Sequence, residues 1–234
     1  SGAIGLGAQS ELLERMAQLD QERGRLAMQY GKTLLQEAES RALAHGASQV
    51  ETLLRHGDFV EALVELEAQA RLMVVGKVGT DHAGEFTALG SHIESLIRQV
   101  HTSILITGAQ FTAPKSFMLA YDGRDTAERS LDRIIKGGLL TGLPCHLVMV
   151  GHHDDVHTGK FEAAAARLSH EGYQVTSSLL DGGVTDSLLN YQREHDIGLL
   201  IMGAFAHSKV RHLFLGSNTI RMIQSSLSPL IVLR

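Results

Sequence analysis

The sequence has no tryptophan, one cysteine and three prolines, and aromatic residues make up only 5% of it. So few aromatic residues predict a core packed by Leu, Val, Ile and Ala, and the hydrophobic fraction of 44% is ample for one. Because Cys145 stands alone, neither a disulfide within the chain nor a thiolate cluster for a metal ion can form. A reducing, cytoplasmic setting is therefore expected.

Positive charge and long apolar runs are also scarce. The net charge is −5 at pH 7, whereas a surface that follows nucleic-acid phosphates is basic, so nucleic acid is not an expected partner. Every apolar run is shorter than the roughly 20 residues that a membrane-spanning helix needs, so no membrane partner is expected. The sequence contains neither Gly-x-Gly-x-x-Gly nor a P-loop lysine motif, which argues against a dinucleotide dehydrogenase and a P-loop NTPase.

What the sequence does contain is an alternation of short apolar runs with amphipathic stretches. Strands are predicted at residues 50–54, 72–76, 103–107, 116–121, 145–150, 173–180, 199–202 and 230–233. Helices are predicted at residues 9–45, 58–69, 126–140, 160–171 and 186–195, and again after Gly90 and after Gly216. Such alternation predicts βαβ units around a parallel sheet, which is an α/β fold.

One strand–loop–helix–strand unit occurs twice. Gly203 ends an apolar run and Gly216 opens a helix, and Gly76 and Gly90 do the same in the first half. Gly90 and Gly216 are 126 residues apart, and a repeat of this length indicates a duplicated domain. The predicted domains are residues 1–110 and 115–234. The first lacks counterparts of the strand at 116–121, the next helix and the next strand, so it is expected to be incomplete through truncation at the N-terminus.

The glycine spacing resembles the nucleotide loop of the universal stress protein family: a buried strand ending in Gly, a second Gly, about nine residues, then Gly-Ser at a helix start. The first half reads Gly76-x2-Gly79-x10-Gly90-Ser91, and the second reads Gly203-x2-Ala206-x9-Gly216-Ser217. The resemblance covers about residues 32–234. It implies two tandem doubly wound, Rossmann-like domains, the second with five parallel strands in order 3-2-1-4-5.

The resemblance also implies partners and a site. The halves are expected to associate as a pseudo-dimer through their last strands, Ser103–Thr107 and Leu230–Leu233, and the chain is expected to form homo-oligomers. An adenine nucleotide, ATP or ADP, is expected in the second half, with Mg²⁺ as a candidate companion. The expected adenine and ribose pocket contains Ala120, Tyr121 and Asp122. The expected phosphate loop and its flanks contain Met202, Gly203, Phe205, Ala206, Gly216, Ser217, Asn218 and Thr219. The loop residues Lys209, Arg211 and His212 are candidates to add positive charge near the phosphates, but loop cations are more often solvated, which is the favoured interpretation.

Two positions depart from the family pattern. Ala206 stands where the loop has Gly, and a Cβ there narrows the approach to phosphate if the backbone needs a positive φ. Asp122 is followed by Gly123-Arg124, where the family more often has Gly-Ser. No nucleotide is expected in the first half. Its loop carries Asp81 and Glu85, which disfavour a polyphosphate, and the first half contains no counterpart of Asp122.

Two interpretations of function follow. The protein is either a nucleotide-binding stress protein, regulatory and at most a slow ATPase with no assigned catalytic residue, or a structural, dimerising module that has lost nucleotide binding. A further cluster at residues 152–157, containing His152, His153, Asp154, Asp155 and His157, resembles a metal site. It lacks helical i, i+4 spacing and a cysteine, so a solvated loop is the favoured interpretation and no metal is expected.

Overall fold

The computed structural model describes residues 3–77, 86–108, 110–138, 140–151, 154–204 and 216–233. The chain forms two compact units, residues 1–58 and residues 59–234. Among the described residues, no helix combines the length and the apolar character that crossing a membrane requires.

The first unit is a long helix followed by an irregular segment. Helix α1 spans Ala3–Ala44. Gly46, two residues after the end of the helix, has a φ of +94°. This conformation lets the N–H of Ala47 donate to the carbonyl of Ala42 at 3.0 Å, which forms a Schellman motif. The strand predicted at residues 50–54 is wrong, because these residues have no regular secondary structure. An extended run becomes a strand only beside a partner, and the described part of the chain pairs none with it.

The second unit contains all the described strands. Its elements are α2 (Phe59–Leu66), a 3-10 turn (Glu67–Gln69), β1 (Leu72–Gly76), α3 (Phe86–Gln99), β2 (Ser103–Thr107), β3 (Phe117–Ala120), α4 (Asp125–Gly137), β4 (Cys145–Val150), α5 (Asp155–His170), β5 (Val175–Leu180), α6 (Val184–Glu194), β6 (Leu199–Gly203), α7 (Ser217–Ser225) and β7 (Leu230–Leu233). The alternation predicted from the sequence is present throughout the second half.

The strands form one sheet in the order β1-β2-β7-β6-β3-β4-β5. Counted within the second half alone, β3 to β7 stand in the predicted order 3-2-1-4-5 and are parallel. The order of the whole sheet differs from that of a five-stranded sheet because β1 and β2 extend it at the β7 side. The α/β class with a mostly parallel sheet is confirmed, while the domain boundaries stay a prediction.

The two halves meet where β2 pairs antiparallel with β7, the two strands that were expected to pair. Ile104 lies opposite Val232, and Leu105 lies opposite Ile231. Because β1 runs parallel to β2, the carboxyl ends of both strands point to the opposite edge of the sheet from those of β3 to β7. A ligand site in the first half and one in the second would therefore lie on opposite edges.

Helices cover both faces of this sheet. On one face, α3, α6 and α7 contribute Leu96, Ile97, Leu188 and Met222, packed against Ile104, Leu200 and Val232. On the other face, α4 and α5 contribute Leu131, Phe161 and Leu168, packed against Phe117, Leu147 and Ile201. Double coverage explains why β6 and β7 are continuous apolar runs rather than alternating ones.

One predicted helix start is wrong. Helix α3 begins at Phe86, so Gly90 and Ser91 lie inside it and do not open it. The glycine pattern alone did not determine the boundary, because glycine is tolerated inside a helix at a cost of about 1 kcal/mol relative to alanine. In the second half the prediction is confirmed, since α7 begins at Ser217 with Gly216 as its N-cap.

Candidate functional site

A cavity of about 400 Å³ opens at the carboxyl ends of β3, β4 and β6. From β3 the chain continues to β4 and β5 on one side, and it then crosses back through α6 to β6 on the other side of β3. Ligands of open α/β sheets bind at such a switch in strand order. The apolar part of the wall consists of Ala120, Ala127, Val148, Val150, Val184, Leu188 and Met202. The remaining lining residues are Tyr121, Asp122, Arg124, Thr126, Gly203, Asn218 and Thr219.

Asp122 lies in a tight turn directly after β3. Its Oδ1 accepts the backbone N–H of Arg124 at 3.1 Å, and its Oδ2 accepts from the Arg124 guanidinium at 3.4 Å. Gly123 between them has a φ of +71°, and a Cβ there would meet Cδ2 of His157 at 3.2 Å. The ammonium group of Lys160 donates to the Gly123 carbonyl at 2.9 Å. Helix α5 therefore holds this turn in place.

Gly203 brings the end of β6 close to helix α4. A Cβ at Gly203 would lie 3.4 Å from Cβ of Thr126 and 3.6 Å from Oγ of Ser130. The Ser130 hydroxyl donates to the Thr126 carbonyl at 2.8 Å, which leaves this buried serine satisfied. Close packing at Gly203 thus places the first turn of α4 in the cavity wall.

The opposite wall is the start of helix α7. Gly216 is its N-cap, with φ −61° and ψ 139°, and its carbonyl accepts the N–H of Ile220 at 3.1 Å. Gly216 has no side chain that could cap this end, and the first turn contains no acidic residue. The first N–H groups of a helix lack intrahelical acceptors and carry its positive dipole end, so they favour an anion. Asn218 and the buried Thr219 line the cavity from this turn.

Tyr121 lines the cavity, but its hydroxyl is engaged elsewhere. The ring is buried in the core beside Phe161, with centroids 6.3 Å apart. The hydroxyl donates to the Glu128 carboxylate and, at 3.4 Å, to the Lys160 carbonyl. Burial, followed by the nearby Glu128 carboxylate, raises the pKa of Tyr121. The phenol is therefore a neutral structural group between β3, α4 and α5.

The structure brings most of the predicted site residues together. The cavity wall contains Ala120, Tyr121, Asp122, Met202, Gly203, Asn218 and Thr219. Gly216 and Ser217 lie at the start of α7 but are not among the lining residues. Phe205 and Ala206 lie outside the described residues, as do Lys209, Arg211 and His212. Nucleotide binding by these residues stays a prediction.

The sequence-based prediction missed the apolar wall from β4 and α6. Val148 and Val150 end β4, the strand next to β3, and Val184 and Leu188 lie on α6. The predicted strand order already placed β4 beside β3, so its last residues could have been named. Val184 and Leu188 carried no such signal, because their position depends on how α6 crosses the sheet.

The first-half edge of the sheet offers a different environment. Lys77, directly after β1, donates from Nζ to the carbonyls of Gln224 and Ser226 at 3.0 Å each. These carbonyls belong to the C-terminal end of α7, and burial lowers the pKa of Lys77. This edge therefore meets the negative end of α7, which suits a cation rather than a phosphate.

The cluster at residues 152–157 is built differently from the predicted loop. Asp154 is the N-cap of α5, and Asp155 and His157 lie in its first turn, so the loop prediction is wrong for them. Asp154 accepts the backbone N–H of His157 at 3.1 Å and bonds its ring at 2.6 Å. The backbone hydrogen bond is the main cause that lowers the pKa of Asp154.

His152 and His153 lie outside the described residues, and among those described no group of three His, Cys, Asp or Glu could hold a metal.

A second polar cluster lies between β4, β5 and α6. The Tyr191 hydroxyl bonds Nδ1 of His146 at 3.1 Å and the Ser178 hydroxyl at 2.9 Å. The His195 ring lies 5.4 Å from His146 and 4.1 Å from Tyr191, centroid to centroid. Burial, followed by the positive charge of His195, lowers the pKa of His146. The folded protein therefore favours neutral His146.

This shift predicts a loss of stability in acid. With the unfolded pKa of His146 near 6.5 and the folded pKa below it, the unfolded chain binds more protons as the pH falls through 6.5. The free energy of unfolding should fall accordingly on acidification. In His146→Gln, the urea midpoint should fall less between about pH 7.5 and about pH 5.5 than in the wild type. A pH dependence in His146→Gln equal to that of the wild type would contradict the prediction.

The fold and the cavity together define a doubly wound α/β protein with a cavity at its switch point. The family model "Universal stress protein family" matches residues 4–108 and, a second time, residues 114–234. A universal stress protein of Synechocystis is 30% identical over 236 aligned residues, which cover 100% of this chain and 82% of that protein. The chain belongs to the universal stress protein family and carries its domain twice in tandem.

Solved structures show the same fold. A universal stress protein from Archaeoglobus fulgidus DSM 4304 superposes with a TM-score of 0.69 at 20% identity, covering 88% of this chain and 76% of that one. A protein of Pseudomonas aeruginosa PAO1 superposes with a TM-score of 0.60 at 12% identity, covering 86% of this chain and 77% of that one. At these identities the likeness concerns the fold alone.

Proposed function

We propose that the cavity in the second half binds an adenine nucleotide, ATP or ADP, and that the protein is a regulatory nucleotide-binding member of its family. The proposal rests on one observation, which is that an apolar cavity and a helix N-terminus adjoin each other. A largely apolar cavity at the switch point of the sheet ends at the start of α7, where the N-cap residue Gly216 has no side chain to cap the helix. An apolar pocket and an anion-binding helix end are the two parts that a base and its phosphates require.

The base would occupy the apolar part of the cavity. Val148, Val150, Leu188 and Met202 come from two strands and a helix and present aliphatic surface to it. Aliphatic side chains exclude water from the faces of a planar base and gain about 25 cal/mol for each Å² of apolar area buried. Ala120 leaves room because its side chain is small. This wall accounts for affinity without requiring hydrogen bonds to particular base atoms.

The ribose and phosphates would lie at the polar rim. The Asp122 carboxylate can accept hydrogen bonds from ribose hydroxyls, and the first N–H groups of α7 can donate to phosphate oxygens. Asn218 adds a side-chain amide at the same end of the cavity. An accompanying Mg²⁺ would be held mainly by phosphate oxygens, since Asp122 is the only carboxylate among the described lining residues.

A regulatory role fits this wall better than rapid turnover. Among the described lining residues there is no histidine and no lysine that could activate water beside a phosphate. The nucleotide would therefore stabilise one state of the protein, by RT ln(1 + [L]/Kd), rather than be hydrolysed quickly. Slow hydrolysis remains compatible with this role.

A cavity-filling substitution tests the proposal. Val184 is partly buried at the start of α6 and lines the cavity, so Val184→Phe should place a ring where the base lies. The matched control is Val156→Phe, at the 66% exposed second position of α5. We expect calorimetry to show at least about ten-fold weaker binding of both ATP and adenosine for Val184→Phe, with no change for the control.

Two results would contradict the proposal. Equal ATP affinity in Val184→Phe and the wild type would place the ligand elsewhere. Absence of binding by the wild type at millimolar ATP, together with no nucleotide released from freshly purified and denatured protein, would favour the structural, dimerising interpretation.

A further inference from the structure

Two charged residues of the described cavity wall contact each other. Among the described lining residues only Asp122 and Arg124 carry charge, and they lie two positions apart on one turn. Their side chains are 35% and 31% exposed, and their ion-pair distance is 3.4 Å. Charge-assisted hydrogen bonds are normally about 2.7–2.9 Å long, so this contact is loose and, at this exposure, weak. A stronger acceptor could displace the carboxylate from the guanidinium.

The backbone beneath the pair is fixed. The Arg124 N–H donates to Oδ1 of Asp122 at 3.1 Å, and the Arg124 carbonyl accepts the N–H of Glu128 at 2.9 Å. Lys160 holds the Gly123 carbonyl from the other side of the turn at 2.9 Å. Side-chain rotation of Arg124 can therefore break its contact with Oδ2 of Asp122, while the backbone and the Oδ1 contact stay in place.

We propose that Arg124 selects phosphorylated ligands by exchanging the Asp122 carboxylate for a phosphate group. The inference rests on the proposed function and names a residue that decides between a nucleotide and its nucleoside. A phosphate oxygen pair matches the planar fork of a guanidinium, which binds it through two parallel hydrogen bonds. Oδ2 of Asp122, once released, becomes available to accept from a ribose hydroxyl or an amino group.

Charge balance supports the same exchange. Without Arg124, the Asp122 carboxylate would be an uncompensated negative charge in the wall and would repel phosphates. With Arg124, the described wall is neutral before binding and supplies one positive group to the ligand. Nucleotide affinity in this chain should therefore depend on ionic strength through Arg124.

The test compares Arg124→Gln with Arg129→Gln by calorimetry with ATP, ADP and adenosine. Arg129 is the matched control because it lies on the same helix, is exposed, does not line the cavity and loses the same charge. Arg124→Gln should weaken ATP and ADP binding about ten-fold and adenosine binding less than about two-fold. The difference in ATP affinity between Arg124→Gln and the wild type should shrink at high salt. The ATP affinity of Arg124→Lys should lie between those of the wild type and Arg124→Gln. Arg129→Gln should bind all three ligands as the wild type does.

The outcomes separate this inference from the proposed function. Wild-type ATP affinity in Arg124→Gln overturns the inference alone, and so does an equal loss for ATP and adenosine, which would show a structural role. Absence of binding to every ligand by the wild type overturns the proposed function and the inference with it.

Discussion

Replacing Gly216 with valine should lower the affinity for ATP by about 100-fold or more. The N-cap backbone at Gly216, φ −61° and ψ 139°, is a conformation that any residue adopts, so the change requires no unfavourable backbone angles. The added branched side chain stands beside the first N–H groups of α7 and blocks the approach of a phosphate. Two lost charge-assisted hydrogen bonds correspond to about 3–6 kcal/mol, and calorimetry with ATP measures the loss.

Gly183→Val is the control for helix stability. Gly183 is the N-cap of α6 with φ −76° and ψ 131°, and a Cβ there would come no closer to another group than Oδ2 of Asp186 at 3.7 Å. Both variants lose a glycine N-cap, at a cost of about 0.5–1 kcal/mol, so their urea midpoints should be similar. Equal losses of ATP affinity in the two variants would show that the effect at Gly216 comes from helix stability and not from blocked access.

Replacing Ile231 with aspartate should remove a large part of the stability of the second unit. Ile231 is 4% exposed in β7, opposite Leu105 of β2 and Ile201 of β6. A carboxylate there loses its hydration and gains no partner in the described core, which costs about 4–5 kcal/mol or more. Domains of this kind are stable by about 5–15 kcal/mol, so circular dichroism and urea titration should show a large loss.

The exposed Val74→Asp serves as the control for introducing charge into a strand. Val74 is 62% exposed on β1, the edge strand, so this variant should change stability by less than about 0.5 kcal/mol. Ile231→Val should cost about 0.5–1.5 kcal/mol, because it only removes a methylene group from a packed site. A folded Ile231→Asp with wild-type stability would contradict the central position of β7.

Much of the fold could be predicted because its determinants are local. The run at Leu199–Gly203 indicated a strand buried on both faces, and Gly216 indicated the start of α7. The end of α1 at Gly46 was equally readable, since a positive φ there suits glycine. The strand predicted at residues 50–54 failed for the complementary reason. Residues 50–54 are apolar enough for a strand, but a strand also needs a partner strand to bond its backbone. The local sequence does not show whether such a partner is present.

The candidate site divides in the same way. Asp122, Gly203 and Asn218 could be named from the sequence because each follows a strand end or opens a helix whose position the pattern predicted. Leu188 could not, since its place in the wall depends on the path of α6 across the sheet. The contact between Asp122 and Arg124 was also beyond prediction, because it depends on a turn that Lys160 of α5 holds.

The sequence by itself determined most of the strands and helices and the tandem repeat, and its resemblance to a family implied the parallel order within the second half. Only the tertiary structure decided that β2 joins β7 antiparallel, that the two halves share one sheet and that their candidate ligand edges face opposite ways. The physical reason is the separation along the sequence over which each interaction acts. Periodicity and capping act between residues a few positions apart, whereas Leu105 and Ile231 meet because folding leaves two apolar edges unpaired, and pairing them removes both from water.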